Sequence, residues 1–439
     1  MSRDDRIGLQ RACAARRAVR PAIAVAAALA ALLAPAGAGA QQFLASNRFN
    51  FDFSNPGARS LGFGGAFAGL ADDATAAFAN PAGLVQLTRP EVSLEGRWWD
   101  RSPSFVAGGR LEGEPTGRGI DTVSGLVFGR DESSAAGPSF AAVVLPRGRW
   151  SFAVYGHRLS QFEIVTEFQG FFEDDPALFP PDRSPAFRER VDLDILAAGF
   201  AAARSVNERL SVGLALVHSE VSLTTVTGVY IFDLQDPDSE FEEIPLIPER
   251  LVSTRELAID DTDWSLQAGV LWRPVERLSA GLFYREGAEA QGPLRIELGF
   301  AGEPGFEIMG TGAFAVPDVW GVGLAYRSPG GWWTVAGELD RVGYEGLLRE
   351  VIDGEDIQVA EHRDGWEARL GVEVALLRRE PIVAFRAGGW EAEGDGIVED
   401  RITHLAVGLG IAAERFQIDL AADFSEEIDT GSVSFIYAF

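Results

Sequence analysis

The sequence contains no lysine, and only one cysteine, Cys13, among its 439 residues. All 38 basic residues are arginine, and 65 acidic residues outnumber them to give a net charge of −27. That balance excludes the clustered positive charge on which phosphate binding depends, so no nucleic-acid partner is expected. Beyond residue 40 no apolar run approaches the ~18 residues that mark a transmembrane helix. Yet 46% of the chain is hydrophobic and its mean hydropathy is +0.04. A polar soluble domain is less apolar than this, and a helical membrane protein far more so. Fifty glycines and 29 phenylalanines point toward strands and turns. At about 150 residues per domain the length suggests roughly three domains, although β-barrels routinely exceed that size as one unit.

The first forty residues have the form of an export signal. Arg3, Arg6, Arg11, Arg16, Arg17 and Arg20 make a basic region, the apolar run from Ala22 to Ala34 follows, and Ala38-Gly39-Ala40 offers the small residues of a cleavage site. The run is shorter than the ~20 residues that span a bilayer, which disfavours a membrane anchor. Cleavage after Ala40 removes six arginines and two aspartates, taking the net charge from −27 to −31. It also removes Cys13, so the mature chain has no thiol, which excludes disulfides, thiolate metal sites and cysteine nucleophiles.

The mature chain alternates with a period of two. Leu405, Val407, Leu409 and Ile411 are separated by Ala406, Gly408 and Gly410, so an extended chain puts every large side chain on one face. Phe416, Ile418 and Leu420 alternate in the same way with Gln417, Asp419 and Ala421, and Trp333, Val335 and Leu339 with Thr334, Ala336, Glu338 and Asp340. A soluble sandwich would show this pattern too. Connection lengths separate the two. Strands are expected near 90–101, 137–146, 149–165, 189–204, 208–226, 255–272, 276–290, 312–327, 331–346, 364–377, 381–393, 402–413, 415–425 and 430–439. The gaps between them alternate long and short, the short ones being Pro146-Arg147-Gly148, Ser205-Val206-Asn207, Arg273-Pro274-Val275, Ser328-Pro329-Gly330 and Arg378-Arg379-Glu380. Tight turns at one end and long loops at the other, on an even number of strands, describe an all-β, fourteen-stranded antiparallel transmembrane barrel in the outer membrane of a Gram-negative bacterium. Many strands exceed the ~9–11 residues that cross a bilayer, so the barrel should project beyond the membrane on its long-loop side.

The chain ends with Val433, Phe435, Tyr437 and Phe439 on one strand face. A last strand of this form resembles the C-terminal signal by which bacterial barrels are recognised for insertion, which makes Phe435, Tyr437 and Phe439 the candidate insertion signal and the barrel-assembly machinery a partner during biogenesis.

Residues 41–88 do not alternate. They are rich in glycine (Gly62, Gly64, Gly65, Gly69), weakly helical around 70–79, and carry Ala71-Asp72-Asp73-Ala74 and then Asn80-Pro81-Ala82. With the signal peptide and the fourteen strands, this stretch resembles the FadL/TodX family of outer-membrane transport proteins for hydrophobic compounds; the Asn-Pro-Ala motif matches residue for residue. The resemblance implies a signal peptide over 1–40, a hatch folded inside the barrel over 41–88 and a barrel over 89–439. Glycines suit a plug whose backbone must pass close to the wall, and Asn80-Pro81 should end the preceding helix. Gly62-x-Gly64 is not a dinucleotide loop, because Phe67 stands where the third glycine belongs and no strand precedes it.

Other chemistry is sparse. His157, His218, His362 and His404 lack metal-ligand spacing, and interior strand positions account for His157, His218 and His404. Ser160 lies near His157, but nothing singles it out as a nucleophile. Asp233, Asp236, Asp238 and Glu240 form an acidic loop without the glycine and glutamate spacing of a calcium loop. No catalytic residue, metal or cofactor is expected. The loop after the third strand carries Phe168, Phe171, Phe172, Leu178 and Phe179; if exposed, these would form a capture surface for hydrophobic substrate, the alternative being that they pack on the rim or touch lipopolysaccharide. The function implied is passive uptake of hydrophobic small molecules, long-chain fatty acids or aromatic hydrocarbons, with lateral escape through the barrel wall. The rival readings are a barrel that binds or assembles a secreted protein partner, and a general porin.

Overall fold

The computed structural model describes residues 55–173, 183–233, 235–236, 238–299, 305–357, 363–378, 380–393 and 401–439. The alternating segments form strands, and their edges pair until the sheet closes on itself. The first is β1 (Glu91–Arg101). A hairpin follows, β2 (Ser104–Arg110) and β3 (Gly125–Arg130), which makes a separate two-stranded sheet at the long-loop end. Five long staves come next: β4 (Ser133–Arg147), β5 (Trp150–Phe168), β6 (Ala186–Ser205), β7 (Leu210–Tyr230) and β8 (Leu251–Val275). The seventh stave is β9 (Leu278–Arg285) continued by β10 (Glu289–Leu298), and the eighth is β11 (Phe306–Ala315) continued by β12 (Asp318–Arg327). The ninth is β13 (Trp333–Gly343) continued by β14 (Leu348–Ile352), which turns back as the short β15 (Glu355–Ile357). Five staves complete the wall: β16 (Gly365–Ala375), β17 (Ile382–Glu393), β18 (Arg401–Ala412), β19 (Phe416–Phe424) and β20 (Ile428–Ala438). β20 pairs antiparallel with β1, Glu91 opposite Ala438 and Arg101 opposite Ile428, so the fourteen staves form a closed barrel.

Closure satisfies every wall edge, the condition for strands to sit in lipid. The outer face is correspondingly apolar: Leu214, Leu216, Leu282, Leu324, Leu370 and Leu405 all point outward and are exposed. Phe435, Tyr437 and Phe439 lie on that outer face as the alternation requires. Along β6 and β7 the pattern inverts with height. Near the short turns the outer face is apolar and the inner face small, with Ala201, Ala203, Gly213 and Ala215 turned inward. Near the long loops the outer face is charged, with exposed ion pairs Arg188–Glu167 (3.4 Å) and Arg190–Glu163 (3.0 Å), while Val191, Leu193, Val221 and Leu223 are buried inside. This outward charge marks the part of the barrel that stands above the membrane.

Two local expectations change. The first long gap, 102–136, holds the β2–β3 hairpin and the start of β4 rather than loop alone. The segments 276–290 and 312–327 do not run as single strands, and 331–346 runs as one only to Gly343 before its stave continues as β14. Each of those staves is broken, at Glu286–Ala288, Val316–Pro317 and Tyr344–Leu347, where Gly287, Pro317 and Gly346 interrupt regular pairing.

Candidate functional site

The described part of the N-terminal segment, from Asn55 to Pro90, lies inside the barrel, and most of it is buried. It has two short helices, α1 (Ala58–Gly62) and α2 (Ala76–Ala79), and a 3-10 turn over Pro81–Gln86. Asn80 ends α2 in an extended conformation and its side chain caps the next turn, accepting from the Ala82 amide at 3.2 Å. The same side chain, fully buried, donates to the carbonyls of Ala68 (2.9 Å) and Val270 (3.2 Å), so one amide ties the hatch to itself and to β8. Ser211 donates to the Ala82 carbonyl at 3.0 Å and Ser279 to the Gly69 carbonyl at 2.6 Å. Phe63, Phe67 and Phe78 are buried between hatch and wall, each contributing about 1.5–3 kcal/mol.

Glycines on both sides make this fit possible. A Cβ at Gly64 would lie 2.5 Å from the Gly389 amide nitrogen, and one at Gly62 2.8 Å from the Gly408 Cα. On the wall, a Cβ at Gly281 would lie 2.0 Å from the Ala68 carbonyl oxygen, and one at Gly371 2.0 Å from that of Phe63. Any side chain there would push the hatch away from the staves. The wall glycines are close-approach positions that the sequence concealed, since each reads as the small residue of an alternating strand.

The lumen has two unlike walls. From β13 round to β1 it is charged and paired: Arg369 donates to Asp340 (3.1 Å) and also pairs with Glu367, Arg386 donates to Glu373 and Asp419 (both 2.7 Å), Arg97 donates to Glu95 (3.0 Å), and His404 Nδ1 lies 2.8 Å from Asp423. Arg59 of the hatch pairs with Asp72 and, at 3.3 Å, with Glu373. From β5 to β12 the upper lumen is filled by a buried apolar cluster that includes Phe162, Leu193, Ile195, Leu223, Leu257 and Phe314. Most barrel interiors are polar and wet. This one is packed with apolar side chains down one side.

At the foot of that cluster is a cavity of about 40 Å³, lined by Phe78 of the hatch, Leu159 at a register shift in β5, Ile195, Val217, Val319, and residues 286–288 and 316–317 at the stave breaks. It has room for a few waters at ~10–15 Å³ each, and not for a hydrocarbon chain. The buried Arg285 lines it too, its guanidinium 4.6 Å from the rings of both Phe78 and Phe283.

The aromatic loop differs from expectation. Phe168, Phe171 and Phe172 are buried rather than exposed, because Val106 of the β2–β3 hairpin, Phe187 and Phe241 close over them; Phe172 stacks on Phe241 at 5.8 Å. Leu178 and Phe179 lie outside the described residues, as does His362. His157 is an interior strand residue, 4.4 Å from the Phe78 ring, whereas His218 packs on the outward-facing Trp264 at 4.7 Å, so its interior placement is corrected. In the acidic loop Asp233 pairs with Arg250 at 2.9 Å and Asp238 with Arg118; among the described residues no group of acidic or histidine side chains is placed to hold a metal ion.

No protein-family profile matches the chain, and no curated protein does. Solved structures do. A FadL homologue of Pseudomonas aeruginosa superposes with a TM-score of 0.64 at 14% identity, covering 89% of this chain and 99% of that one. The toluene transporter TbuX of Ralstonia pickettii gives 0.60 at 15% identity over 88% and 99%, and the toluene transporter TodX of Pseudomonas putida 0.58 at 15% over 89% and 99%. By fold the chain is, like these structures, a closed fourteen-stranded antiparallel barrel, with its N-terminal segment folded into the lumen.

Proposed function

We propose that the protein admits hydrophobic small molecules passively across the outer membrane of a Gram-negative bacterium. The observation that carries this reading is the pairing of a filled lumen with an apolar inner wall. The described part of the hatch fills the lumen where a porin needs an aqueous channel, while Leu193, Ile195, Leu223 and Phe314, fully buried, pack into an apolar interior that only an apolar solute gains by entering. The solved neighbours named as toluene transporters support aromatic hydrocarbons as the cargo, and long-chain fatty acids are the other class proposed. The solute enters between the extracellular loops, descends the apolar wall to the cavity beside Phe78, and leaves sideways into lipid. Water in the periplasm offers it nothing. In this reading Asn80-Pro81-Ala82 fixes the hatch against β8, lipopolysaccharide surrounds the projecting staves, and the assembly machinery reads Phe435, Tyr437 and Phe439.

The test is uptake of labelled toluene and of a labelled long-chain fatty acid by a strain lacking this protein, with and without the gene restored. Restoration should raise uptake of at least one of them. No rise for either, with the barrel present in the membrane, refutes the proposal and favours a role in binding a protein partner.

A further inference from the structure

We propose that the periplasmic rim of the barrel, over the turns that join β4 to β5, β6 to β7 and β8 to β9, is a binding surface for anionic phospholipid headgroups of the inner leaflet. The whole-chain charge of −27 hides this surface, because the two ends of the staves carry opposite signs. On the outer face of β8, Glu256 and Asp260 stand above Trp264, only Leu266, Ala268 and Val270 lie between it and Trp272, and Arg273 follows. The two tryptophans are 62% and 52% exposed. They are separated by roughly 20 Å along the membrane normal, at ~3.3 Å per residue and ~40° tilt, so they mark the two edges of the ~25 Å apolar band. The same order recurs on β6, with Asp192 and Asp194 above and Arg204 below.

Arginine borders the lower aromatic belt around the barrel: Arg149 precedes Trp150, Arg273 follows Trp272, Arg327 follows Tyr326 and Arg415 precedes Phe416. The arc from β4 to β9 is the densest, with Arg147, Arg149, Arg204, Arg209, Arg273 and Arg277 against Glu208 and Glu276. Among the described residues none of these six arginines has an ion-pair partner, whereas at the other end of the staves Arg188, Arg190, Arg295 and Arg401 are all paired with glutamates. Their placement calls for an anion. The Arg273 amide donates to the Arg209 carbonyl at 2.7 Å, which sets two arginines directly opposite, and like charges so placed destabilise a strand pair unless something negative lies between them. On the outer face Trp150 lies opposite both Arg147 and Arg204, and the Arg204 guanidinium is held 5.2 Å over its ring. That stacking fixes a positive charge at headgroup level, where indole belts sit. Long apolar stems let the neighbouring guanidinium groups reach the same plane. A guanidinium fork matches phosphate oxygens and is weakly hydrated, and basic clusters at a membrane edge bind anionic lipid, each charge being worth about fivefold in preference. Peptidoglycan or an acidic periplasmic protein would meet the arginines from below. Only a lipid meets them together with the lipid-facing Trp150 and Trp272.

The test reconstitutes the purified barrel in phosphatidylcholine vesicles with a trace of spin-labelled phosphatidylglycerol or spin-labelled phosphatidylcholine, and compares how much of each label the protein immobilises. The wild type should favour phosphatidylglycerol about threefold averaged over its perimeter, and about 1 M salt should lower the ratio. Arg147→Gln, Arg204→Gln and Arg273→Gln together should remove at least half of that preference. Arg149→Gln, Arg209→Gln and Arg277→Gln form a second set should the first fold poorly, with heat-modifiable migration as the check. Arg188→Gln with Arg190→Gln, whose guanidinium groups are already paired, should keep the preference. No preference in the wild type, or one that survives in both folded triple variants, overturns the surface. So does a flat lipid preference with retention on isolated peptidoglycan that the triple variants lose, which gives the arginines to the cell wall. None of these outcomes depends on what the barrel transports.

Discussion

Replacing Gly281 and Gly371 together with alanine should undock the hatch and leave the barrel intact. Each new Cβ would lie 2.0 Å from a hatch carbonyl oxygen, that of Ala68 for Gly281 and that of Phe63 for Gly371. The wall strands are held by ladders on both sides, so the hatch must yield by more than an ångström. Overpacking of this kind costs about 1–3 kcal/mol per site. At Ala68 the displaced carbonyl also loses its hydrogen bond from Asn80, worth about 0.5–1.5 kcal/mol. The two sites meet different parts of the hatch, so with the lost hydrogen bond their costs should add to roughly 2.5–7.5 kcal/mol. At about 1.4 kcal/mol per tenfold, the undocked fraction rises roughly 60-fold to 10⁵-fold. The assay is ion conductance of single barrels in planar bilayers, with heat-modifiable migration as the check on folding. Gly337→Ala is the control, because its Cβ would meet nothing nearer than 3.7 Å. Folded double-variant barrels that conduct no more than the wild type would refute the reasoning.

The remaining expectations concern biogenesis and the extracellular cap. Deleting Phe439, whose ring continues the outward row of Phe435 and Tyr437, should reduce the heat-modifiable barrel in the membrane fraction; normal levels would contradict the insertion role. Phe171→Ala should cost about 3–5 kcal/mol of local packing and make residues 104–130 sensitive to protease while barrel abundance holds, since Phe171 is fully buried under the hairpin. Burial would raise the Asp121 carboxyl, but hydrogen bonds from Arg110 and from the Thr116 amide and hydroxyl outweigh it and hold the pKa at about 2. A lowered folded-state pKa contributes stability that is complete above the ordinary value of ~3.9 and lost as pH falls through about 2. Hydrogen exchange of this loop should therefore stay slow from neutral pH down to about 4 and accelerate toward pH 2, whereas Asp121→Asn should exchange fast throughout.

The staves were legible because two signals coincide in them. A period-two pattern such as Leu405-Ala406-Val407-Gly408 can bury only one face in any extended chain, and short turns such as Ser205-Val206-Asn207 fix which ends meet. The hatch was legible from its loss of that pattern and from Asn80-Pro81-Ala82. What escaped depends on contacts between distant residues. Gly281 and Gly371 look like ordinary small positions until Ala68 and Phe63 lie against them. Phe171 and Phe172 look exposed because the groups that cover them, Val106, Phe187 and Phe241, are scattered over more than a hundred residues of sequence. The breaks at Gly287, Pro317 and Gly346 sit inside segments whose alternation continues on both sides, so only the pairing pattern reveals them.

The central claim is that the barrel passes hydrophobic solutes while its hatch excludes polar ones, and paired permeability measurements test it most directly. Vesicles with a lipopolysaccharide outer leaflet, carrying the intact barrel, a barrel lacking residues 43–84 or no barrel, are offered labelled toluene, a labelled long-chain fatty acid and a small labelled sugar. The account predicts that the intact barrel raises entry of toluene or the fatty acid above the barrel-free vesicles but not that of the sugar, and that removing the hatch admits the sugar as well. Sugar entry through the intact barrel, at the rate seen without the hatch, would contradict it.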